Sequence, residues 1–321
     1  MRTLRKSKRD EAIDIRAVII TGSGSGIGAA TASWLNERGC LVFAGVRKSD
    51  QGEALKATAK HPDNLIPLLL DVTDGDAIAV AREQVKQVLA NRGTQLSGLV
   101  NNAADENLGP VEVLPLEVFR NEMEVGYFGM VAVTKAFLPL LREGNGRIVN
   151  MSSVNGRCTF KYHATTCATK YAVEAFSDAL RMELKPWGMH VAIVEPGPTD
   201  TPLMVEKTVE EFTQKMSRYP EDELAMYFPD YAATVQNVTA FVERLRTPPR
   251  NRWSKLRRLL NGQGWLHRPD EVARVIEHAL TSRKPKTRYL VGIQAKLIYL
   301  ARCLLGDARF DRFLGEKVFD F

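Results

Sequence analysis

The chain has 321 residues, enough for one large α/β domain or two small ones, and 45% apolar with 26% charged residues excludes a wholly disordered polymer. No run of about 18 apolar residues is present, so no membrane-spanning helix is expected. The charged start MRTLRKSKRD has no apolar stretch of a secretory signal behind it, and Cys40, Cys158, Cys167 and Cys303 form no CxxC pair. A reducing, cytoplasmic setting without a metal site is therefore expected. The net charge of +6 gathers in Arg2–Arg9 and Arg244–Arg258; a mobile tail and a solvated helix face are favoured over nucleic-acid or anionic-membrane contacts.

In chain order, β-branched apolar runs occur at Ala17–Thr21, Leu41–Val46, Leu65–Val72, Leu96–Asn101, Arg147–Met151, His190–Glu195 and Arg288–Val291. Segments of helical spacing separate them, including Leu116–Leu141 and Thr165–Lys185. Continuous apolar strands joined by helix-length crossovers predict an α/β, doubly wound parallel sheet covered on both faces. The pattern lapses between Leu203 and Gly264, which reads as a largely helical excursion, and resumes at His267-Arg-Pro-Asp-Glu, where Pro269 and the acids behind it suit a helix start.

Thr21–Gly28 reads TGSGSGIG between the first strand and a helix. Glycines there permit a tight turn and close approach to a pyrophosphate, while the helix N-terminus offers N–H groups and partial positive charge. The second strand ends without the acid that often binds a ribose diol; Arg47 and Lys48 stand there instead. A guanidinium suits a 2′-phosphate, which favours NADP(H) over NAD(H), with a solvated surface pair as the alternative.

These features resemble the short-chain dehydrogenase/reductase family. Thr21, Gly22, Gly26 and Gly28 match TGxxxGxG; Asn101–Ala104 resembles NNAG with alanine last; Pro196, Gly197 and Thr201 match PGxxxT. Ala172–Arg181 and Pro285–Gly292 are similar to the branch acting on steroids, retinoids and related lipophilic alcohols. The resemblance implies a Rossmann fold over 17–292, with a substrate lid at 203–263 between a basic tail (1–16) and an amphipathic segment (293–321). It further implies that Gly22, Ser25, Gly26, Ile27 and Gly28 hold phosphates, that Asp71 and Val72 flank the adenine, and that Asn101, Ala103, Lys170, Pro196, Gly197, Thr199 and Thr201 line the rest of the cofactor.

The family's catalytic set is Asn, Ser, Tyr and Lys. Ser153 and Lys170 match, but the tyrosine position holds Thr166 and the asparagine position holds Gly126. The expected catalytic positions are thus Ser153, Thr166 and Lys170. A phenol with a pKa of about 10 can be brought into working range by a neighbouring cation; a threonine hydroxyl is far less acidic and its side chain is shorter. Proton transfer by a positioned acid or base contributes about 10²–10⁴-fold. Tyr162 is the preferred surrogate, with an ordinary loop tyrosine as its alternative.

Methionines and aromatics in 203–263 suit either a cover over a hydrophobic small molecule or plain packing. The tail from Ile293 is amphipathic; packing on its own domain or a partner is favoured over a membrane surface. The favoured function is an NADP(H)-dependent oxidoreductase on a bulky hydrophobic alcohol or ketone with an atypical proton donor. A non-redox cyclase, isomerase or lyase, or a silent dinucleotide-binding protein, is the alternative, because function resides in the site rather than the fold. A homo-dimer or tetramer is implied by the resemblance.

Overall fold

The apolar runs form β1 (Ala17–Ile20), β2 (Leu41–Val46), β3 (Leu65–Leu69), β4 (Gly98–Asn101), β5 (Arg147–Met151), β6 (His190–Pro196) and β7 (Arg288–Val291). All pair in parallel in the order β3-β2-β1-β4-β5-β6-β7. The computed structural model describes residues 16–260 and 265–317. The expected tail before Arg16 and part of the 203–263 excursion lie outside them.

Every residue of β1 and β2 is buried, as strands covered on both faces must be. Alternation along β1 sends Ala17 and Ile19 to one core and Val18 and Ile20 to the other. The first core is closed by α3 (Gly75–Arg92), α5 (Gly129–Glu143) and α6 (Ala164–Leu184), the second by α1 (Gly26–Asn36) and α11 (Pro269–Thr281). The edge strands β3 and β7 are only partly covered.

The helix expected over Leu116–Leu141 is divided. A π turn, Glu124–Phe128, separates α4 (Leu116–Met123) from α5. The whole run Leu116–Glu143 is long and apolar enough to cross a membrane by length and composition, although charged residues such as Glu124 and Lys135 interrupt it. Here its Val133, Phe137 and Leu141 fill the core.

The 203–263 excursion, the expected lid, comprises a π turn (Leu203–Lys207), α7 (Thr208–Glu210), α8 (Glu221–Tyr227), α9 (Tyr231–Arg246) and α10 (Arg252–Leu260). Its Met216, Leu224, Phe228 and Val238 build a separate apolar cluster with Leu108, Val113 and Leu114 from the loop after β4. In the C-terminal segment, α12 (Ile293–Leu304) buries Gln294 and Ala295, and α13 (Asp307–Lys317) drives Phe310 against Cys158. That segment packs on its own domain while Leu297, Leu300 and Leu304 remain exposed.

Strand order reverses beside β1, which opens a crevice at the carboxyl ends of the strands.

Candidate active site

The crevice is a cavity of about 720 Å³, bordered by the ends of β1 to β6 and by the lid. At its floor the glycine loop is stitched to the end of β4. Thr21 Oγ1 accepts from the N–H groups of Asn102 (2.9 Å) and Ala103 (3.0 Å), and Asn102 Nδ2 donates to the Thr21 carbonyl at 3.0 Å. Gly22 and Gly26 have φ of +67° and +56°, left-handed values that favour glycine. A Cβ on Gly28 would lie 2.6 Å from Asn102 Nδ2 and closer still to the Gly22 carbonyl. Gly28 thus lets the loop close rather than facing the cavity.

Ser25, Gly26 and Ile27 line the cavity at the start of α1, and Ser25 makes no side-chain cap bond there. The first-turn N–H groups are therefore presented to an anion, with the helix dipole behind them. Beyond them, Arg47, Asp71 and Val72 border one end. The Thr73 N–H (2.9 Å) and hydroxyl (2.7 Å), with the Arg47 charge, hold the Asp71 carboxyl below its usual range against partial burial. A glycine cradle of this shape, extended by a cation and an anchored acid, fits a dinucleotide.

Two further expected cofactor residues, besides Gly28, stand elsewhere. Lys48 is exposed and outside the cavity wall: it caps α2 (Ser49–Ala57) in extended backbone, where successive side chains point apart. Asn101 is buried behind the wall, its Nδ2 donating to Thr134 Oγ1 and Asn150 Oδ1, both at 2.9 Å. Alternation gives the cavity-facing place to Asn102 instead, beside Ala103.

At the other end Ser153, Thr166, Lys170, Pro196, Gly197, Thr199 and Thr201 share the cavity wall. Ser153 Oγ accepts from the Asn155 N–H at 3.2 Å, capping a short turn. Lys170 is 8% exposed and its Nζ donates to the Met151 carbonyl at 3.0 Å. Burial pulls the Lys170 ammonium down, against the opposing pull of Glu122, Glu106 and Glu174. Thr199 Oγ1 donates to the Gly197 carbonyl at 2.9 Å, and Thr201 Oγ1 accepts the Met204 N–H at 3.2 Å, tying the start of the excursion to the loop after β6.

Thr166 is 4% exposed, and its Oγ1 has no hydrogen-bond partner of normal geometry. Gly126 lies in the π turn, buried, where a Cβ would come 2.5 Å from Thr169 Cγ2. The asparagine position is thus filled by a neighbour's methyl group.

The preferred surrogate is corrected. Tyr162, at φ +67°, turns into the lid cluster with its ring 5.1 Å from that of Phe228, and it does not border the cavity. His163, adjacent to Tyr162 in the chain, does border it, and so do Glu106 and the Asp105–Lys207 ion pair, which the sequence reading missed.

Behind them Glu122, 1% exposed, accepts from Asn107 N (3.0 Å) and Nδ2 (3.1 Å) through Oε2, while Oε1 is buried. Thr165 Oγ1 donates to the Asn107 carbonyl at 2.7 Å, locking that loop to α6. Burial pushes Glu122 up against the pull of Thr166, Asn107 and Thr165. Burial, then Glu122, pushes the Glu106 carboxyl to about 7, with Lys170 opposing and Glu211 adding to the rise. A signal existed: Phe119, Glu122, Gly126 and Met130 fall on one helical stripe, so an acid sits on the face that packs inward.

Comparison with known proteins places these features. The sequence profile described as short chain dehydrogenase matches residues 16–211. Retinol dehydrogenase 16 of Mus musculus is 37% identical over 285 residues, 88% of this chain and 82% of that protein. The mitochondrial D-beta-hydroxybutyrate dehydrogenase of Rattus norvegicus is 34% identical over 278 residues, 85% and 76% of the two chains. The crystal structure of a short-chain dehydrogenase from Streptomyces avermitilis superposes with a TM-score of 0.68 at 28% identity, covering 95% of this chain and 97% of that one.

Proposed function

The chain belongs to the short-chain dehydrogenase family of NAD(P)(H)-dependent oxidoreductases, and we propose that within it the protein moves hydride between NADP(H) and a bulky hydrophobic alcohol or ketone, using an atypical proton donor. One observation carries this reading: a single cavity joins the glycine cradle to an apolar wall made by Leu203, Met204, Phe241, Leu245 and Ile298. Such a wall fits an apolar substrate body, with few polar groups to orient it. The named activities of the relatives, on retinol and on D-beta-hydroxybutyrate, bracket the candidates, and the wall favours the retinol-like end.

The dinucleotide, when bound, supplies or accepts the hydride. Ser25, Gly26 and Ile27 would hold its phosphates, Arg47 a 2′-phosphate, and Asp71 with Val72 the adenosine end. Ser153 offers a hydroxyl to a substrate oxygen, and Lys170 offers positive charge near the reacting end. Pairing of subunits through the α4–α5 run and α6 belongs to the same proposal, and sedimentation tests it.

The test is fluorescence titration with NADPH and NADH, followed by turnover on retinol, estradiol and D-3-hydroxybutyrate with NADP⁺. Tight NADPH binding with oxidation of retinol or estradiol supports the reading. NADPH binding without redox turnover on any of the three favours the alternative, non-redox chemistry or ligand binding alone, to which the buried Thr166 hydroxyl lends weight. Absence of dinucleotide binding overturns both.

A further inference from the structure

The cavity retains the cation of the family's proton machinery and lacks its phenol, so the question is which group can take the phenol's place. Thr166 is too weak an acid. Tyr162 is packed into the lid. His163 commits a ring nitrogen to the Lys161 carbonyl at 2.8 Å, which fixes its proton there, and burial resists a second proton. Asp105 is paired with Lys207.

We propose that Glu106 is the proton-transfer group of this cavity, with Glu122 as its positioning residue and Lys170 as its counter-charge. The proposal rests on the oxidoreductase reading above. Three observations converge. Glu106 borders the same cavity as Thr166 and Lys170. The adjoining residue, Asn107, is held by two hydrogen bonds to Glu122 and one from Thr165, which fixes the Glu106 backbone against α4 and α6. The Thr166 hydroxyl, buried on the same wall, acts on the Glu122 carboxyl, so the position that would carry the phenol faces an acid.

The surrounding charges suit the role. Glu122 on α4, Lys170 on α6 and Glu211 on the lid all act on Glu106, and the Asp105–Lys207 pair and His163 share its cavity. Glu106, half-buried on the cavity wall, and the buried Glu122 behind it do not both ionise readily, so Glu106 keeps its proton up to about pH 7. In ketone reduction the Glu106 O–H bond breaks, its proton passes to the carbonyl oxygen, and the electron pair stays as carboxylate. The hydride at the carbonyl carbon comes from a reduced nicotinamide dinucleotide, which is oxidised. Alcohol oxidation reverses both transfers. Reduction therefore weakens as pH rises through about 7, while oxidation strengthens.

The test uses the full chain as wild type, Glu106→Gln and Glu122→Gln, with NADPH affinity measured for each. Carboxyl-carbon NMR of glutamate-labelled protein should show one resonance titrating near pH 7 that vanishes in Glu106→Gln and moves to lower pH in Glu122→Gln. On the substrate the wild type turns over, Glu106→Gln should lose about 10²–10⁴-fold in kcat and its pH dependence, with NADPH affinity kept, and Glu106→Asp should recover part of the rate. A near-neutral resonance that survives Glu106→Gln, or unchanged kcat and pH profile in that variant, overturns the proposal and leaves the functional reading standing. A wild type that binds no dinucleotide sinks the functional reading, and this inference with it.

Discussion

The two ends of the cavity obey different rules. At the cradle end several expected positions carry geometry that can do the expected work: left-handed glycines, an uncapped helix start and an anchored Asp71. At the other end Ser153 and Lys170 persist, but the phenol and the asparagine are gone, and buried carboxyl groups crowd the space around them. Binding a dinucleotide depends on backbone shape, which tolerates few substitutions. Moving a proton depends on one acid of suitable pKa, and more than one side chain can supply that.

The sharpest way to break the comparison is Gly28→Val. Its side chain would enter the space of the Gly22 carbonyl and the Asn102 amide. Overpacking of this sort costs about 1–3 kcal/mol or more, here against backbone that cannot yield. A drop in Tm together with loss of saturable NADPH binding is expected; a variant that binds normally would mean that the cradle is not the dinucleotide site.

Gly126→Asn comes next, a substitution toward the family pattern that should nonetheless destabilise by about 1–3 kcal/mol, because its Cβ meets Thr169 Cγ2. Adding Thr169→Ala should recover most of the loss in a denaturant titration. Equal stability of the single variant and the parent would show that the π turn is not held by that contact.

Arg47→Asp should weaken NADPH binding about tenfold or more, roughly 1.4 kcal/mol, and leave NADH affinity nearly unchanged. Equal losses for both cofactors would remove Arg47 from the choice between them. Thr166→Tyr should change turnover by less than about tenfold on its own, since the Glu122 carboxyl beside position 166 disfavours an ionised phenol. A larger gain would mean that the missing phenol alone limits the natural protein.

The smallest effect concerns stability against pH. The folded-state value for Glu106 is raised, so its contribution is fully present below the ordinary glutamate value of 4.5 and declines as pH rises through about 7. Glu106→Gln should flatten that decline in thermal melts across the interval. An unchanged slope would place its source in another group.

Much of this molecule is legible along the chain. The strands fall where the apolar runs predict them, because a parallel strand buried on both faces needs an unbroken apolar stretch whatever surrounds it. The glycine loop is legible for a similar local reason: a left-handed turn before a helix leaves few residue choices. Proximity in sequence points Asn101 and Lys48 toward the cofactor, but backbone alternation sends both away from the cavity. Tyr162 leaves the cavity because its left-handed backbone turns its ring toward Phe228, a residue of the lid.

The sequence by itself determined the parallel sheet, the phosphate cradle and the loss of the usual tyrosine and asparagine, all of which follow from neighbours within a few residues. Only the tertiary structure decided what stands in their place. Glu106, Glu122, Thr166, Lys170 and Glu211 come together from four separate segments, and desolvation with the neighbouring charges gives the Glu106 and Glu122 carboxyl groups a character that neither has in its own stretch of chain.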